Sequence, residues 1–259
     1  MAGKLATRDL SADGLVVNHV SKSFTVNGSS FQAVRDVSIH VRQGEFVSIV
    51  GPSGCGKSTI LRMLAGLETA DSEGSLSADG KTINGPSIER GIVFQDHRLL
   101  PWLTIGRNVK LALQKSRLET REKDLRVAEI LKLVGLHDFA DAYPHQLSGG
   151  MSQRAALARS LVSRPKVLLL DEPLGALDSL TRQQMQSELL RIWRHYRITA
   201  LMVTHDVDEA VLLSNRVIVM APRPGRVKGI VDIAGGASIA SPAFLEARSQ
   251  IYALLGDGA

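Results

Sequence analysis

GPSGCGKST, residues 51–59, places three glycines and a lysine within seven positions and follows the lysine with two hydroxyl residues. Ahead of it EFVSIV (45–50) is a short apolar, β-branched run that reads as a buried strand, and KSTILRMLAGL (57–67) carries apolar residues at helical spacing. A glycine loop joining a strand to a helix is the context in which G-x-x-x-x-G-K-[ST] predicts a phosphate cradle. Backbone N–H groups surround the oxyanion there, and the positive end of the helix faces it. Gly51, Gly54 and Gly56 let the backbone close in, and Pro52, Ser53 and Cys55 complete the loop. Lys57 would reach the β- and γ-phosphates of a nucleotide, Ser58 would place its hydroxyl on Mg²⁺, and Thr59 would touch a neighbouring phosphate. A glycine-rich turn with a solvated lysine is the plain alternative, and the agreement of strand, loop and helix argues against it.

VLLLDEP (167–173) supplies what such a site still lacks. A strand made almost wholly of Val and Leu must be buried, so Asp171 and Glu172 at its exit are held at a rigid edge. Asp171 would hold Mg²⁺, through water, and Glu172 would polarise the attacking water. LSGGMSQR (147–154) is a second glycine pair ahead of a helix, and Ser148, Gly149 and Gly150 could present a hydroxyl and N–H groups to another anion. A simple helix cap would have the same composition.

Along the rest of the chain, residues 1–13 read as a mobile polar tail. Strands follow at LVVNHVSKSF, FQAV and DVSIHV, with a turn at NGSS, and GIVFQ forms a strand that ends at Gln95. From Thr104 to Val162 the pattern is helical, an insertion into an α/β core. Strand VLLL, helix SLTRQQMQSELLRIWRHY, strand TALMV and a helix from Asp206 restore the alternation expected of a parallel sheet. RVIVMAPRPGRVKGIVDI reads as a hairpin, and SPAFLEARSQIYALL as a short amphipathic helix.

The chain of 259 residues, 44% hydrophobic, can bury one large core. It contains no apolar run near the ~18 residues of a membrane span, and its N-terminus lacks the apolar centre of a signal peptide, so a cytoplasmic location is expected. The single Cys55 excludes an internal disulfide. A net charge of +5 from scattered basic residues, with 4% aromatic content, offers little for nucleic acid.

GPSGCGKST, Gln95 after a strand, LSGGMSQR about 20 residues ahead of LLLDEP, LGALD (174–178) and His205 in VTHD resemble, in order, the motifs of ATP-binding cassette (ABC) ATPases. The resemblance spans about residues 15–234 and implies an α/β P-loop NTPase with the ABC ATPase fold. Its parts would be a RecA-like core (14–96 and 165–234) with an antiparallel β subdomain, an inserted helical signature subdomain (about 97–164), and a short C-terminal helical tail (235–259). Met151 stands where the family signature usually has Gln. The resemblance further implies that Phe24 stacks on adenine, that Gln95 contacts Mg²⁺ or the water, and that His205 bridges the γ-phosphate and Glu172. Asp178 would act at a dimer contact. Two subunits would pack head to tail, each ATP lying between Lys57 of one chain and Ser148, Gly149 and Gly150 of the other.

GIVFQDHRLLPWLTIGRNV (91–109), DEPLGALDSLTRQQMQ and RVIVMAPRPGRV are similar to the importer ATPases serving nitrate, aliphatic sulfonates and taurine. The expected partners are ATP, a second copy of the chain, an integral-membrane permease and, indirectly, an extracytoplasmic solute-binding protein, with no nucleic acid. The expected location is the cytoplasmic face of the inner membrane, as a peripheral subunit. Leu99, Leu100, Pro101 and Trp102 would receive the permease, or else pack between core and insertion. The chain ends soon after residue 255, which implies no regulatory domain of the kind found in longer sugar importers. Two alternatives are an ABC ATPase of DNA repair or translation, which would need a coiled coil or two cassettes, and a non-catalytic nucleotide-binding regulator, disfavoured by the intact Lys57, Asp171, Glu172 and His205.

Overall fold

Asn27 and Gly28 both take positive φ, 51° and 77°, as a two-residue hairpin turn that matches strand twist requires. Two long antiparallel strands leave this turn, β1 (Asp13–Val26) and β2 (Ser29–Arg42). FQAV and DVSIHV, read from sequence as separate strands, are therefore one. Asp36 at φ 46° and the register shifts around Val20 absorb the polar Arg35–Asp36 step as a bulge, so the strand continues through it. Asp13, assigned to the tail by sequence, opens β1. The computed structural model describes residues 13–71, 74–175, 177–233, 239 and 241–256. The expected tail at 1–12, and residues 235–238, 240 and 257–259 of the C-terminal segment, lie outside them.

β3 (Phe46–Val50) feeds the phosphate loop and α1 (Lys57–Ala65) leaves it. Two short strands that the sequence reading missed, β4 (Ser75–Ala78) and β5 (Lys81–Thr82), complete a four-stranded sheet in the order β2-β1-β4-β5. β6 (Arg90–Val93) stops two residues before Gln95. The helices α2 (Ile105–Leu111), α3 (Thr120–Leu133) and α4 (Gly149–Leu161) follow, and then β7 (Val167–Asp171), α5 (Ser179–Tyr196), β8 (Thr199–Val203), α6 (Val207–Leu213), β9 (Arg216–Met220), β10 (Val227–Asp232) and α7 (Pro242–Gly256).

The second sheet runs β10-β9-β3-β8-β7-β6, parallel except for β10, which pairs antiparallel with β9. β3, β7 and β8 are buried at every residue, which is why they read as unbroken apolar runs: both of their faces are covered. Three apolar clusters hold the layers. One joins α2, α3, α4 and α5 to the sheet, one joins α1 and the four-stranded sheet to its other face, and the third packs α6 and α7 on β9 and β10. Phe244, Ala247 and Ile251 of α7 are buried in that third cluster, so the expected C-terminal tail contributes a helix to the core. No helix of the described residues is long and apolar enough to cross a membrane.

Candidate functional site

The loop after β3 folds tightly enough to admit only certain residues. Gly56 sits at φ 91°, and a Cβ there would come 2.6 Å from Val34 Cγ2 and 2.9 Å from the Ala33 carbonyl oxygen. Lys57 begins α1 with its side chain buried, and its Nζ donates to the carbonyls of Gly51 (2.8 Å) and Pro52 (3.1 Å). Neutral carbonyls are weak partners for an ammonium, so a polyphosphate entering the loop would find this cation ready to be redirected. Cys55 is buried within the loop, and burial raises its thiol pKa against the opposing pull of Lys57; it is a packing residue and not a reactive thiolate.

Asp171 ends β7, where the parallel sheet delivers it beside α1. Ser58 Oγ donates to Asp171 Oδ1 at 2.9 Å. Burial pushes the Asp171 carboxyl pKa up, the bond from Ser58 opposes this, Glu172 adds to the rise, and Arg62 and Lys57 work against it. A buried carboxylate touching a hydroxyl is a pair of hard oxygen donors suited to Mg²⁺. Among the described residues no cluster of three His, Cys, Asp or Glu side chains offers a self-sufficient metal site, so such an ion would need phosphate oxygens and water to complete its shell.

Glu172 takes φ 46°, a left-handed conformation uncommon outside glycine, and its N–H donates to the Val203 carbonyl at 2.8 Å. The backbone is thus tied to β8 while the carboxylate turns outward. Glu172 Oε2 receives Gln95 Nε2 at 3.4 Å and lies 3.3 Å from His205 Nδ1. Three segments that follow β6, β7 and β8 therefore converge on one oxygen. Strain at a carboxylate fixed in this way is characteristic of a reaction centre.

A cavity of about 340 Å³ is lined by Phe24, Phe31, Ala33, Ser53, Gly54, Gly56, Lys57, Ser58, Thr59, Glu172 and Arg223. The fold thus gathers the loop, Phe24 and Glu172 around one space, with Asp171, Gln95 and His205 adjoining. Ser148, Gly149, Gly150 and Asp178 are not part of that lining. Ser148 caps α4 by accepting from Met151 N at 3.3 Å, and Asp178 caps α5 by accepting from Thr181 N at 3.1 Å; the Thr181 side chain first, and then this backbone bond, lower the Asp178 carboxyl pKa. Gly149 is exposed, with open space around it, whereas Gly150 is buried against Thr181. Phe31 and Arg223 were missed by sequence reasoning. Phe31 was within reach, because the two-residue turn at Asn27–Gly28 pairs it with Phe24.

Asn108, fully buried in α2, bonds the Leu100 N–H and the carbonyls of Leu100, Leu103 and Thr104. The bend it fixes leaves Leu99 partly packed on the core and displays Trp102 with 69% of its surface exposed.

A strand, glycine loop and helix carrying a lysine, with an acidic pair on a neighbouring parallel strand, define a P-loop nucleoside-triphosphatase cassette. The sequence model described as "ABC transporter" matches residues 34–175, and the chain belongs to that family. It is 44% identical over 216 residues to the aliphatic sulfonates import ATP-binding protein SsuB of Bacillus cereus, covering 83% of this chain and 84% of that one. It is 42% identical over 254 residues to the taurine import ATP-binding protein TauB of Jannaschia sp., covering 94% of each. A solved ATP-binding cassette, a dimer in a post-hydrolysis state with ADP and Pi, superposes with a TM-score of 0.75 at 33% identity over 85% of this chain and 99% of that one. The fold is that of the ABC ATPases.

Proposed function

We propose that this chain is the ATP-hydrolysing, energy-coupling subunit of an ABC importer. The carrying observation is the Glu172 carboxylate, directly after Asp171 and held by Gln95 and His205 on the same oxygen. The loop N–H groups and Lys57 bind the phosphates of ATP, with Phe24 beneath the adenine. Ser58 and Asp171 would hold Mg²⁺, with Gln95 in reach of the metal or the water, and the ion would supply positive charge to offset that of the phosphates. Glu172 takes a proton from the water that attacks the γ-phosphorus; the bond to the bridging oxygen breaks and ADP carries away its electron pair. Gln95 and His205 keep the carboxylate aimed, and His205 also faces the γ-phosphate.

Ser148, Gly149 and Gly150 serve the ATP of a second copy, and Asp178 lies at the contact between copies. Two features support this: those residues stay out of the chain's own cavity, and the similar solved cassette is a dimer. We assign 14–96 and 165–234 to the core and about 97–164 to the signature subdomain. The exposed Trp102 and its neighbours support a reading in which this apolar surface receives a membrane permease, the chain being a peripheral subunit on the cytoplasmic face of the membrane with a solute-binding protein as indirect partner. The relatives named for sulfonates and for taurine support an aliphatic sulfonate or taurine as the solute, and nitrate belongs to the proposal only through the resemblance of the sequence to that class of importer.

Glu172→Gln tests the central assignment. ATP affinity should persist while turnover falls at least about 100-fold, the scale of lost general-base assistance. Near-normal steady-state hydrolysis by the purified variant would remove Glu172 from that role.

A further inference from the structure

Phe31 and Arg223 share the cavity with the phosphate loop, and the motifs read from the sequence give neither a role in binding. Phe31 faces Phe24 across the β1–β2 register, with ring centroids 5.8 Å apart and planes at 32°. Phe31 is 38% exposed, a large hydrophobic residue left partly open while it lines the cavity. Arg223 arrives from the turn between β9 and β10. Its Cζ lies 5.6 Å from the Phe31 centroid, and its Nε donates to the Gly54 carbonyl at 2.8 Å.

That placement is built by backbone. Gly225 N donates to the Ala33 carbonyl at 3.0 Å, and the Gly225 carbonyl accepts from Arg35 N at 2.9 Å. Gly225 presses so closely on the phosphate loop that a Cβ there would stand 1.8 Å from the Cys55 carbonyl oxygen. The turn is therefore fixed to β2 and to the loop at once, and the guanidinium stays at the junction of the aromatic and phosphate ends. Among the described residues a second cation near these rings, Lys22, lies 5.3 Å from the Phe24 centroid and is paired with Asp71 at 3.0 Å.

We propose that Phe31 and Arg223 form, with Phe24, the nucleoside-binding wall of this site: the purine rests on the Phe24–Phe31 surface and the planar guanidinium closes over its edge. A purine presents a π-face to aromatic rings, and an arginine plane stacks on such surfaces where a lysine cannot. The proposal rests on the reading of this cavity as an ATP site and adds the residues that recognise the end of ATP remote from the chemistry.

The test titrates wild type, Phe31→Ala, Phe31→Leu, Arg223→Ala and Arg223→Lys with ATP and, separately, with inorganic tripolyphosphate, which engages the loop but carries no nucleoside. The substituted chains should bind ATP about 10-fold more weakly, the scale of a lost stacking partner. Their tripolyphosphate affinity should stay within about twofold of wild type, because the loop N–H groups and Lys57 remain and the bond that Arg223 gives the loop falls on the Gly54 carbonyl, not on a phosphate-binding N–H. Phe31→Leu keeps the bulk, so it reports on the π-face even where the alanine variant fails to fold. Equal losses toward both ligands would assign these side chains to upkeep of the phosphate loop and overturn the proposal. Unchanged ATP affinity in the Phe31 or Arg223 variants would overturn it as well. A wild-type chain that binds tripolyphosphate as well as it binds ATP would show that no nucleoside wall exists. Failure of wild type to bind either ligand would instead defeat the ATP reading itself.

Discussion

Glu209, in the first turn of α6, is 4% exposed, and its Oε2 accepts a hydrogen bond from Thr204 Oγ1. Among the described residues its Oε1 has no partner. Burial, opposed by the Thr204 bond and reinforced by Asp206, pushes its carboxyl pKa from an ordinary 4.5 up to about 7, with Arg182 and His205 pulling it down more weakly. The folded chain thus holds a proton that the unfolded chain releases between those two values. Its contribution to stability is full below about pH 4.5, declines as pH rises toward about 7, and is flat beyond. Glu209→Gln removes the titration while an amide oxygen still serves Thr204. The variant should gain stability relative to wild type on going from pH 5 to pH 8, measured by urea denaturation at both; a constant difference would show that Glu209 does not titrate in this range. At this scale the sequence was informative wherever chemistry follows from spacing. Lys57 and Ser58 are fixed by their place after Gly56, and Asp171 and Glu172 by the end of a Val/Leu strand. Arg223 was hidden because its partners, Gly54 and Phe31, lie on distant parts of the chain, and a proline–glycine turn reads the same whether or not it touches a site.

The elements legible to the residue were those whose environment is uniform. β8 and α5 match their expected limits because one is buried on both faces and the other begins at an Asp cap and carries a regular apolar stripe. β4 went unread because only Leu76 and Ala78 of SLSA are buried, too few to establish a period. α7 is the amphipathic helix that the sequence leads one to expect in the C-terminal tail. Its sequence shows amphipathicity without saying what covers the apolar face, which is supplied by α6, β9 and β10. Phe244, 2% exposed, is its deepest aromatic side chain. Phe244→Ala should cost roughly 3–5 kcal/mol of unfolding free energy through lost burial and a residual cavity. Urea denaturation measures it, and a loss under about 1 kcal/mol, the range of surface changes, would return α7 to the status of loose cover. Because α6 begins two residues after His205, a loosened α7 also removes support from the segment that aims that imidazole at Glu172.

Among the described residues two glycine segments stand ahead of helices, one wrapped around the cavity and one at the start of α4 away from it. A single chain leaves Ser148 and Gly149 exposed, and the sequence joined them to ATP only through its resemblance to ABC ATPases, since nothing within one copy brings them to Lys57. The proposed head-to-tail dimer gives both segments a purpose and can be tested by complementation. Gly149 has no atom near the position of a Cβ, and an acidic residue in the first turn of a helix is favourable, so Gly149→Asp should leave the fold intact. Placed against the partner's γ-phosphate, the added carboxylate should block closure and hydrolysis while each chain's own cradle still binds ATP. Lys57→Ala should fail in the opposite way, with a sound signature and a broken cradle. Mixed in equal amounts, the two inactive variants should recover up to about a quarter of the wild-type rate, since half the dimers are mixed and each carries one sound site. Silence despite heterodimers proven by differently tagged subunits has two meanings: the sites are not composite, or each needs the other. Adding Glu172→Gln separates them. In that background ATP should drive monomer to dimer, and Gly149→Asp should abolish the shift if the signature closes on the partner's nucleotide. A dimer that forms equally well with the aspartate in place would leave Lys57 and Ser148 in unconnected sites and defeat the composite model.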